Sequence, residues 1–324
     1  QISSAAVTAV TKSGTNDFNG SFYWDRTSDD WRKATPQEEV AGQKAVESTE
    51  QYGVAFGGPI IRDKLHFFLT YEAKDFIVPR FLAAPSNVAN AMTLPPEITQ
   101  FYGPASQPFD QKVYFGKLSF IANESNLFEL TAKYRDEVGV LDVGNDRRIA
   151  SAGTALVNDE TRIDLRHQFS STNWLNDAHV TYEKSAYNPT PVTQGPGIRH
   201  TVITPNQTNT NNNTVVLWTG SGTNGQDKGQ KGWAVQDDLT YFGLDGHTMK
   251  MGFKYKQIDL NAFQFFPPFP QYFYDVFETT DLPYQIQYGA VRPGRTPYVT
   301  SDNKQFGLYF QDDWEVTDKL TLNL

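Results

Sequence analysis

The chain of 324 residues carries a formal net charge of −9 and contains no cysteine, while Phe, Trp and Tyr make up 14% of it. The acidic balance gives no support to nucleic-acid binding, which needs clustered Lys and Arg, and the lack of cysteine excludes disulfide scaffolds and Cys-ligated metals. No apolar run reaches the ~18 residues of a membrane helix. Composition does not exclude a transmembrane β-barrel, since only every second residue of its strands faces lipid and no long apolar run is needed.

The N-terminal part of the chain divides into two environments. A short apolar run, residues 5–10, predicts a buried strand, and residues 12–19 form a polar linker after it. Residues 20–26 then predict the first strand of a β-hairpin. We therefore expect one domain to end within residues 1–18 and another to span residues 19–324, with the chain forming a fragment of a longer protein.

Residues 52–72 predict a hairpin that the rest of the chain repeats. Its first strand, residues 51–56, is expected to end at Gly57-Gly58-Pro59, because Pro has no N–H and Gly tolerates positive φ. Residues 62–64 are charged and keep the connection in water. The second strand alternates between an apolar and a more polar face, which is the period of a half-buried β-strand.

Short turns and long polar segments alternate along the whole chain. The short turns are predicted at residues 123–126, 170–173, 243–246 and 317–319. The long segments are predicted at residues 27–50, 76–110, 138–158, 187–230 and 261–303. This places all short turns at one rim of an antiparallel meander and all long loops at the other. Outer-membrane β-barrels have this asymmetry, with short periplasmic turns and long extracellular loops.

The two-residue period also assigns the faces of the strands. On the lipid-facing side we expect Leu65, Phe67, Leu69, Tyr71, Tyr114, Leu118, Phe120, Phe128, Leu130, Tyr134, Ile163, Leu165, Phe169, Ala178, Val180, Tyr182, Met249, Met251, Phe253, Tyr255, Phe306, Leu308, Phe310, Leu320, Leu322 and Leu324. On the opposite side we expect Arg162, Asp164, Arg166, Gln168, Asp177, Thr181, Glu183, Lys250, Lys254 and Lys256. Arg or Lys facing lipid at the midplane would cost roughly 2–4 kcal/mol each, so the charged face belongs in a water-filled lumen.

Three tryptophans predict an interfacial aromatic girdle beside the short turns: Trp174, Trp233 and Trp314. The alternative is ordinary packing at strand ends. For the whole chain the alternative is a soluble β-sandwich with a solvated outer face, although the length of the loops does not suit a compact sandwich.

No motif predicts an enzyme, a cofactor or a metal site. The segment 220–225 matches G-x-G-x-x-G, but a poor helix former follows it, so we predict a flexible loop. Asp237-Asp238 and Asp312-Asp313 point to opposite faces and cannot share a substrate, which favours structural hydrogen bonds near the short turns. The five histidines are scattered, and residues 142–146 lack the spacing of an EF-hand, which favours a solvated loop over a Ca²⁺ site.

Two of the long loops have unusual composition. Residues 205–214 are polar and of low complexity, which predicts a mobile segment. Residues 263–277 combine eight aromatics with three prolines, and exposed rings of this kind stack on sugars or contact peptides. The alternative is a small core of the loop itself. Within the binding hypothesis, the predicted ligand contacts are Phe265, Phe266, Phe269, Tyr272 and Tyr274.

Three segments resemble TonB-dependent outer-membrane receptors, most of all the Oar-like subgroup. They are VTAVTKSGTNDFNGSFYW at residues 7–24, GVAFGGPIIRDKLHFFLTYE at residues 53–72 and FGLYFQDDWEVTDKLTLNL at residues 306–324. The resemblance implies an all-β, transmembrane antiparallel barrel of the 22-stranded, plugged type, of which about half would be present. Residues 1–18 would then be the end of the plug and its linker.

The resemblance also implies a function. We expect a multi-pass outer-membrane receptor that binds a large scarce nutrient in its extracellular loops and imports it with energy from the inner membrane. The implied partners are a TonB-type energy-transducing complex acting through the missing plug region, outer-membrane lipid, and an oligosaccharide, peptide or metal chelate as ligand. The alternatives are a non-transporting adhesion or signalling barrel and a soluble carbohydrate-binding β-sandwich.

Overall fold

The computed structural model describes residues 11–89, 93–203, 213–278 and 281–324. Sixteen strands lie in this part of the chain: β1 (Asn19–Ser28), β2 (Ser48–Ile61), β3 (Leu65–Leu82), β4 (Gly103–Asn123), β5 (Asn126–Leu141), β6 (Thr154–Ser170), β7 (Trp174–Tyr187), β8 (Thr190–Pro191), β9 (Gly197–Val202), β10 (Thr214–Gly220), β11 (Gln226–Tyr241), β12 (His247–Gln264), β13 (Gln271–Asp275), β14 (Gln285–Gln287), β15 (Tyr298–Thr317) and β16 (Leu320–Asn323). Three short helices accompany them: α1 (Pro36–Ala41), α2 (Ser86–Ala89) and α3 (Pro96–Thr99). Among the described residues, no helix is long and apolar enough to cross a membrane.

A large antiparallel meander forms most of the molecule. Its order is β1-β2-β3-β4-β5-β6-β7-β11-β12-β15-β16, with β8 added beside β6, and β1 and β16 form the two edges. Each inner long strand is joined to one neighbour by a turn of a few residues and to its other neighbour, at the opposite end, by a long segment. The predicted asymmetry is therefore confirmed, and we call the two rims the short-turn end and the long-loop end.

The strands are longer than the sequence predicted. The segment 76–110 was expected to be a loop, but β3 continues to Leu82 and β4 begins at Gly103, paired residue by residue with it. The end of β3, residues 76–82, carries apolar side chains on both faces, and the start of β4, residues 103–108, is rich in Pro and small or polar residues. The two-residue alternation is therefore lost while the hydrogen-bonded ladder continues. The sequence therefore predicted loops that are longer than those of the structure.

The apolar face of the meander is continuous across its strands. The strand register aligns one row of side chains through eight strands: Phe67, Leu118, Leu130, Leu165, Val180, Val235, Tyr255 and Phe306. Leu165 is 47% exposed and Val180 is 50% exposed, although both are large aliphatic residues. Seven of these eight residues are predicted lipid-facing positions, and Val235 extends the same row.

Aromatic residues border this apolar face on both sides. On the long-loop side, Tyr71 lies 4.9 Å from Tyr114, and Trp233 lies 5.1 Å from Tyr255, measured between ring centroids. On the short-turn side, Trp174 lies 4.3 Å from Tyr241, and His247 stacks on Trp314. Trp174 and Tyr182 lie about 26 Å apart along β7, at roughly 3.3 Å per residue. At the strand tilt of about 35–45° in outer-membrane barrels this is a height of about 20 Å, somewhat less than their apolar band of about 25 Å.

The prediction for Trp233 was wrong. It was expected beside a short turn, but β11 starts earlier than predicted, at Gln226, and the turn follows Tyr241 at the other end of the strand. Trp233 pairs with Tyr182 across the sheet and belongs to the aromatic border nearer the long loops. The polar residues before it, 226–231, had hidden the beginning of the strand.

Ion pairs cover the opposite face. Glu129 accepts from Lys117 at 2.7 Å and from Arg166 at 3.3 Å, and Arg166 also pairs with Asp177 at 2.5 Å. Lys256 pairs with Glu183 from a neighbouring part of the same face. These pairs link several strands laterally, and their position confirms the predicted charged face.

The Asp-Asp pairs are split between the faces, as predicted. Asp238 lies on the charged face and accepts a hydrogen bond from the Tyr309 hydroxyl at 2.9 Å. Asp237 lies on the apolar face near the short turns, where it bonds Asn176. Asp312 occupies the same face beside His247, whose Nδ1 lies 2.7 Å from its carboxylate. These carboxylates stabilise the sheet at the border of its apolar band.

Candidate functional site in the loop cap

The long segments do not extend separately from the meander but fold together. Strands β9, β10, β13 and β14 form a second sheet in the order β10-β9-β13-β14, in which β9 and β13 are parallel. The segment after β7 and the segment after β12 therefore share one sheet. We call the described residues of 83–102, 142–153, 188–225 and 265–297 the loop cap.

The loop cap has a hydrophobic core of its own. One face of the second sheet packs against the segment that carries α2 and α3. The buried members of this core are Val88, Leu94, Ile98, Val202, Val216 and Leu217. The Tyr102 hydroxyl also donates a hydrogen bond to the carbonyl of Val216 at 2.9 Å. A packed core fixes the positions of side chains on the other face of the sheet, as a flexible loop would not.

Two arginines enclose one tryptophan in the loop cap. The guanidinium carbon of Arg148 lies 3.9 Å from the centre of the Trp218 ring, and that of Arg199 lies 3.8 Å from it. Arg199 also lies 4.7 Å from the ring centre of Phe273. The Trp218 indole is 2% exposed and donates its N–H to the carbonyl of Ser221 at 3.0 Å. The aromatic rings hold both guanidinium groups in place.

The two arginines differ in their charge partners. Arg148 forms an ion pair with Asp142 at 3.1 Å. Arg199 has no acidic partner within 4.0 Å among the described residues, and its buried Nε has no hydrogen-bond partner there. Burial and the positive charge of Arg148 lower the pKa of Arg199 to about 10, so it stays charged at neutral pH. The loop cap thus contains a largely buried cation that Asp146 attracts without forming an ion pair within 4.0 Å.

Arg199 lines a cavity of about 430 Å³ in the loop cap. The lining residues are Arg199, Thr201, Asn213, Val215, Phe273, Tyr284, Gln285, Ile286, Gln287 and Tyr288. They include several hydrogen-bond donors and three aromatic rings but neither Asp nor Glu. The Tyr284 hydroxyl is fixed at the wall by Thr201 at 2.9 Å and by Asn213 at 3.2 Å. Such a cavity is the right size for a small organic ligand and favours a negative group on it.

The predicted ligand contacts lie near this cavity in the chain, but none of the five lines it. The Phe265 amide donates to the carbonyl of Gly225, and a Cβ added at Gly289 would lie 2.7 Å from the Phe265 ring, so that ring is packed inside the cap. Phe266 is 41% exposed, and the Phe269 carbonyl accepts from Gln271. These three residues connect the meander to β13.

The other two predicted contacts belong to β13 itself. Tyr272 and Tyr274 flank Phe273, so the strand alternation places them on the opposite face from the cavity. The Tyr274 ring lies 6.4 Å from His200 of the neighbouring strand. Phe273, which lies between the two tyrosines and lines the cavity, was not predicted as a ligand contact. The two-residue period of a strand could have placed it on the opposite face from Tyr272 and Tyr274. The five predicted contacts stay a prediction.

The motifs that were set aside have structural roles. The segment 220–225 leads into β11 rather than a helix, as the poor helix former after it predicts. Ser221 is fully buried and Gly220 has a φ of +71°, so part of this segment is packed in the loop cap, and its flexibility stays a prediction. Asp142 accepts from Arg148, from Thr154 at 2.7 Å and from Asn224. Across the described ranges, no three acidic or histidine side chains converge as a metal site. Most of the segment 205–214 lies outside the described residues.

Comparison with known proteins agrees with this architecture. The chain matches a family model described as outer membrane beta barrel domain over residues 10–92 and 77–324. A stretch of 67 residues is 39% identical to the TonB-dependent transporter Oar of Myxococcus xanthus, which is 19% of this chain and 6% of that protein.

Solved structures resemble the chain over nearly its whole length. The outer membrane transporter YddB from Escherichia coli matches with a TM-score of 0.58 at 10% identity, covering 95% of this chain and 38% of the other. A mutant of the ferric enterobactin receptor PfeA from Pseudomonas aeruginosa matches with a TM-score of 0.54 at 13% identity, covering 97% and 39%. The siderophore receptor PirA from Acinetobacter baumannii matches with a TM-score of 0.52 at 13% identity. The chain therefore spans about two fifths of the length of these structures.

Proposed function

Because the chain belongs to the outer membrane beta barrel domain family, we propose that it forms part of a TonB-dependent receptor that captures a nutrient and imports it. It is a multi-pass outer-membrane protein, and its apolar face with aromatic borders is the surface in contact with lipid. We propose that the long-loop end is extracellular and the short-turn end periplasmic, as in barrels of this class. The ligand would be an oligosaccharide, a peptide or a metal chelate.

The observation that carries this proposal is the loop cap. An anchoring barrel needs only short connections, whereas here four long segments build a folded body with its own core and a cavity of about 430 Å³. A preformed concave site at the outer end of a barrel is suited to capture from the medium. The five predicted ligand contacts, Phe265, Phe266, Phe269, Tyr272 and Tyr274, would border the path from the cap to the barrel.

The contacts of the linker before β1 support the proposal that a plug domain precedes the barrel. The amide oxygen of Asn16 lies 2.8 Å from Nε2 of His66 and accepts from the Asp63 backbone at the first short turn. A Cβ at Gly14 would lie 2.2 Å from the carbonyl oxygen of Phe67, so the linker lies directly against the meander. We propose that residues 1–18 belong to a plug domain and residues 19–324 to the barrel. A TonB-type complex pulling on the plug would then strain these contacts at the periplasmic rim.

Uptake by whole cells tests the proposal. Cells with and without the full-length protein are supplied with a defined pool of oligopeptides, oligosaccharides and ferric chelates, and depletion of each compound is measured with and without a protonophore. A receptor of this class removes at least one compound only when the protein is present and the inner membrane is energised. Binding without energy-dependent uptake would instead favour the adhesion or signalling barrel. No depletion and no binding of any compound would contradict nutrient capture.

A further inference from the structure

We propose that Arg199 is the anchor of a carboxylate-binding subsite in the loop cap. The subsite takes the carboxylate of a small ligand, either the C-terminus of a peptide or a uronic-acid sugar, whose shared chemistry is the planar oxyanion. This inference names the ligand class of the proposed receptor and so rests on that function.

The first argument is the missing ion pair: Asp146 attracts Arg199, but no carboxylate of the described residues lies within 4.0 Å of it. Removing a charged group from water is costly unless a partner of opposite sign or a set of hydrogen bonds compensates. Arg148, on the other side of Trp218, has Asp142 for this purpose. Arg199 has no such ion pair within the described ranges, and the residues outside those ranges include neither Asp nor Glu. A ligand anion would supply the partner that the chain itself does not.

The second argument is preorganisation. Arg199 is fixed between the rings of Trp218 and Phe273, at 3.8 Å and 4.7 Å from their centres. Its position on β9, the strand between β10 and β13, adds a hydrogen-bonded neighbour on both sides. A guanidinium whose position is already fixed loses little conformational entropy when it binds a carboxylate in a bidentate manner.

The third argument is the chemistry of the walls. Asn213, Gln285 and Gln287 add amide donors to the cavity. Tyr284 and Phe273 provide aromatic surface on which a sugar ring or an apolar side chain can pack. The absence of Asp and Glu from the lining means that nothing in the wall repels an anion. The cavity therefore offers one charged anchor, several neutral donors and an apolar surface, which together fit an organic acid better than an inorganic ion.

Equilibrium binding to the purified full-length protein in detergent tests this subsite. The probes are a tripeptide with uncharged side chains, as free acid and as C-terminal amide, and trigalacturonate, as free acid and as methyl ester. We expect at least one free acid to bind at least tenfold more tightly than its neutral form, as expected for hydrogen bonds to a charged group. The source of the carboxylate follows from which of the two acids shows this preference.

Variants assign the preference to Arg199. In Arg199→Gln the difference between acid and neutral form should disappear, whereas the affinity of the neutral form should stay within about threefold. Arg292→Gln is the matched control, because Arg292 is an exposed arginine of the same loop cap, and it should keep the preference. Arg199→Lys retains the charge without the planar group and should restore part of the preference.

Three results would overturn the subsite. They are equal binding of acids and neutral forms by the unmodified protein, an acid preference that persists in Arg199→Gln, and no binding of either acid up to millimolar concentration. Failure of the receptor function is recognised separately, since binding in detergent does not require an energised membrane. If the cells import only a neutral nutrient in an energy-dependent manner, the receptor function is supported and the carboxylate subsite is contradicted.

Discussion

Trp218 is the residue on which the loop cap depends most. Its indole is buried, contacts both Arg148 and Arg199 and donates a hydrogen bond to Ser221. Trp218→Ala should lower the local stability of the cap by about 3–5 kcal/mol, the usual cost of truncating a buried tryptophan. Native-state hydrogen exchange of the β9 and β10 amides measures this change. Trp31→Ala is the control, because Trp31 is 68% exposed and should leave exchange of these strands unchanged. Equal exchange in both variants would contradict the packing described here.

His200 should make the loop cap sensitive to acid. Burial lowers the pKa of His200 below its ordinary value near 6.5, since a desolvated imidazole resists protonation. The folded cap binds this proton less readily than the unfolded cap. The contribution of neutral His200 to the free energy of unfolding the cap is therefore complete above about pH 6.5 and is lost as the pH falls below that value. The hydrogen-exchange rate of the β9 and β13 amides, corrected for intrinsic rates, should increase as the pH is lowered from 7.5 to 5. His200→Gln should remove this pH dependence, and a slope unchanged by the variant would exclude His200 as its source.

The meander makes a clear prediction at the scale of one strand. Val180 lies in the middle of the apolar row, and Thr181 follows it on the charged face, bonded to Asp164 at 2.5 Å. Val180→Arg should destabilise the folded barrel by about 2–4 kcal/mol. Thr181→Arg should cost little, because its guanidinium enters the polar lumen beside Asp164. The measurement is urea unfolding of the full-length protein in phospholipid bilayers. A greater cost for Thr181→Arg than for Val180→Arg would reverse the assignment of the faces.

The parallel pairing of β9 with β13 can be tested by cross-linking, since the chain contains no native cysteine. His200 and Tyr274 are paired neighbours, and adjacent strands lie about 4.8 Å apart, within the Cα range of a disulfide. The double variant His200→Cys/Tyr274→Cys should form a disulfide on mild oxidation. His200→Cys/Tyr272→Cys is the control, because a shift of two residues moves the Cα atoms to about 8 Å, beyond that range. Efficient cross-linking of the control alone would show a different register.

The elements differ in how far the sequence predicts them. Strands with one face against lipid alternate strictly, so β3, β5 and β7 were found from their apolar residues. Beyond the aromatic border both faces meet water, and the ends of β4 and β11 were missed for that reason. The sheet of the loop cap could not be predicted, because β9 and β13 are separated by two barrel strands and their pairing leaves no periodic signal. Arg199 was missed with it, since its special position arises only when Trp218 and Phe273 are brought to either side.

At the scale of the molecule, two different solvents shape the chain. Lipid selects the apolar row and its aromatic borders, while water on the charged face and in the loop cap permits ion pairs and hydrogen bonds. The loop cap is held by its own core in addition to the strands, so it can change its contacts with a ligand without disturbing the barrel. This division agrees with a receptor that recognises its ligand outside the membrane.

The orientation of the barrel is the claim on which the receptor account depends. Single cysteines introduced into the full-length protein report it directly, using a membrane-impermeant maleimide on intact cells of the native host. Val40→Cys and Phe266→Cys, at exposed positions of the long-loop end, should be labelled at once. Glu124→Cys and Lys319→Cys, in short turns, should be labelled only after the outer membrane is permeabilised. Labelling of the short turns on intact cells, with protection of Val40→Cys and Phe266→Cys, would contradict the proposed extracellular site.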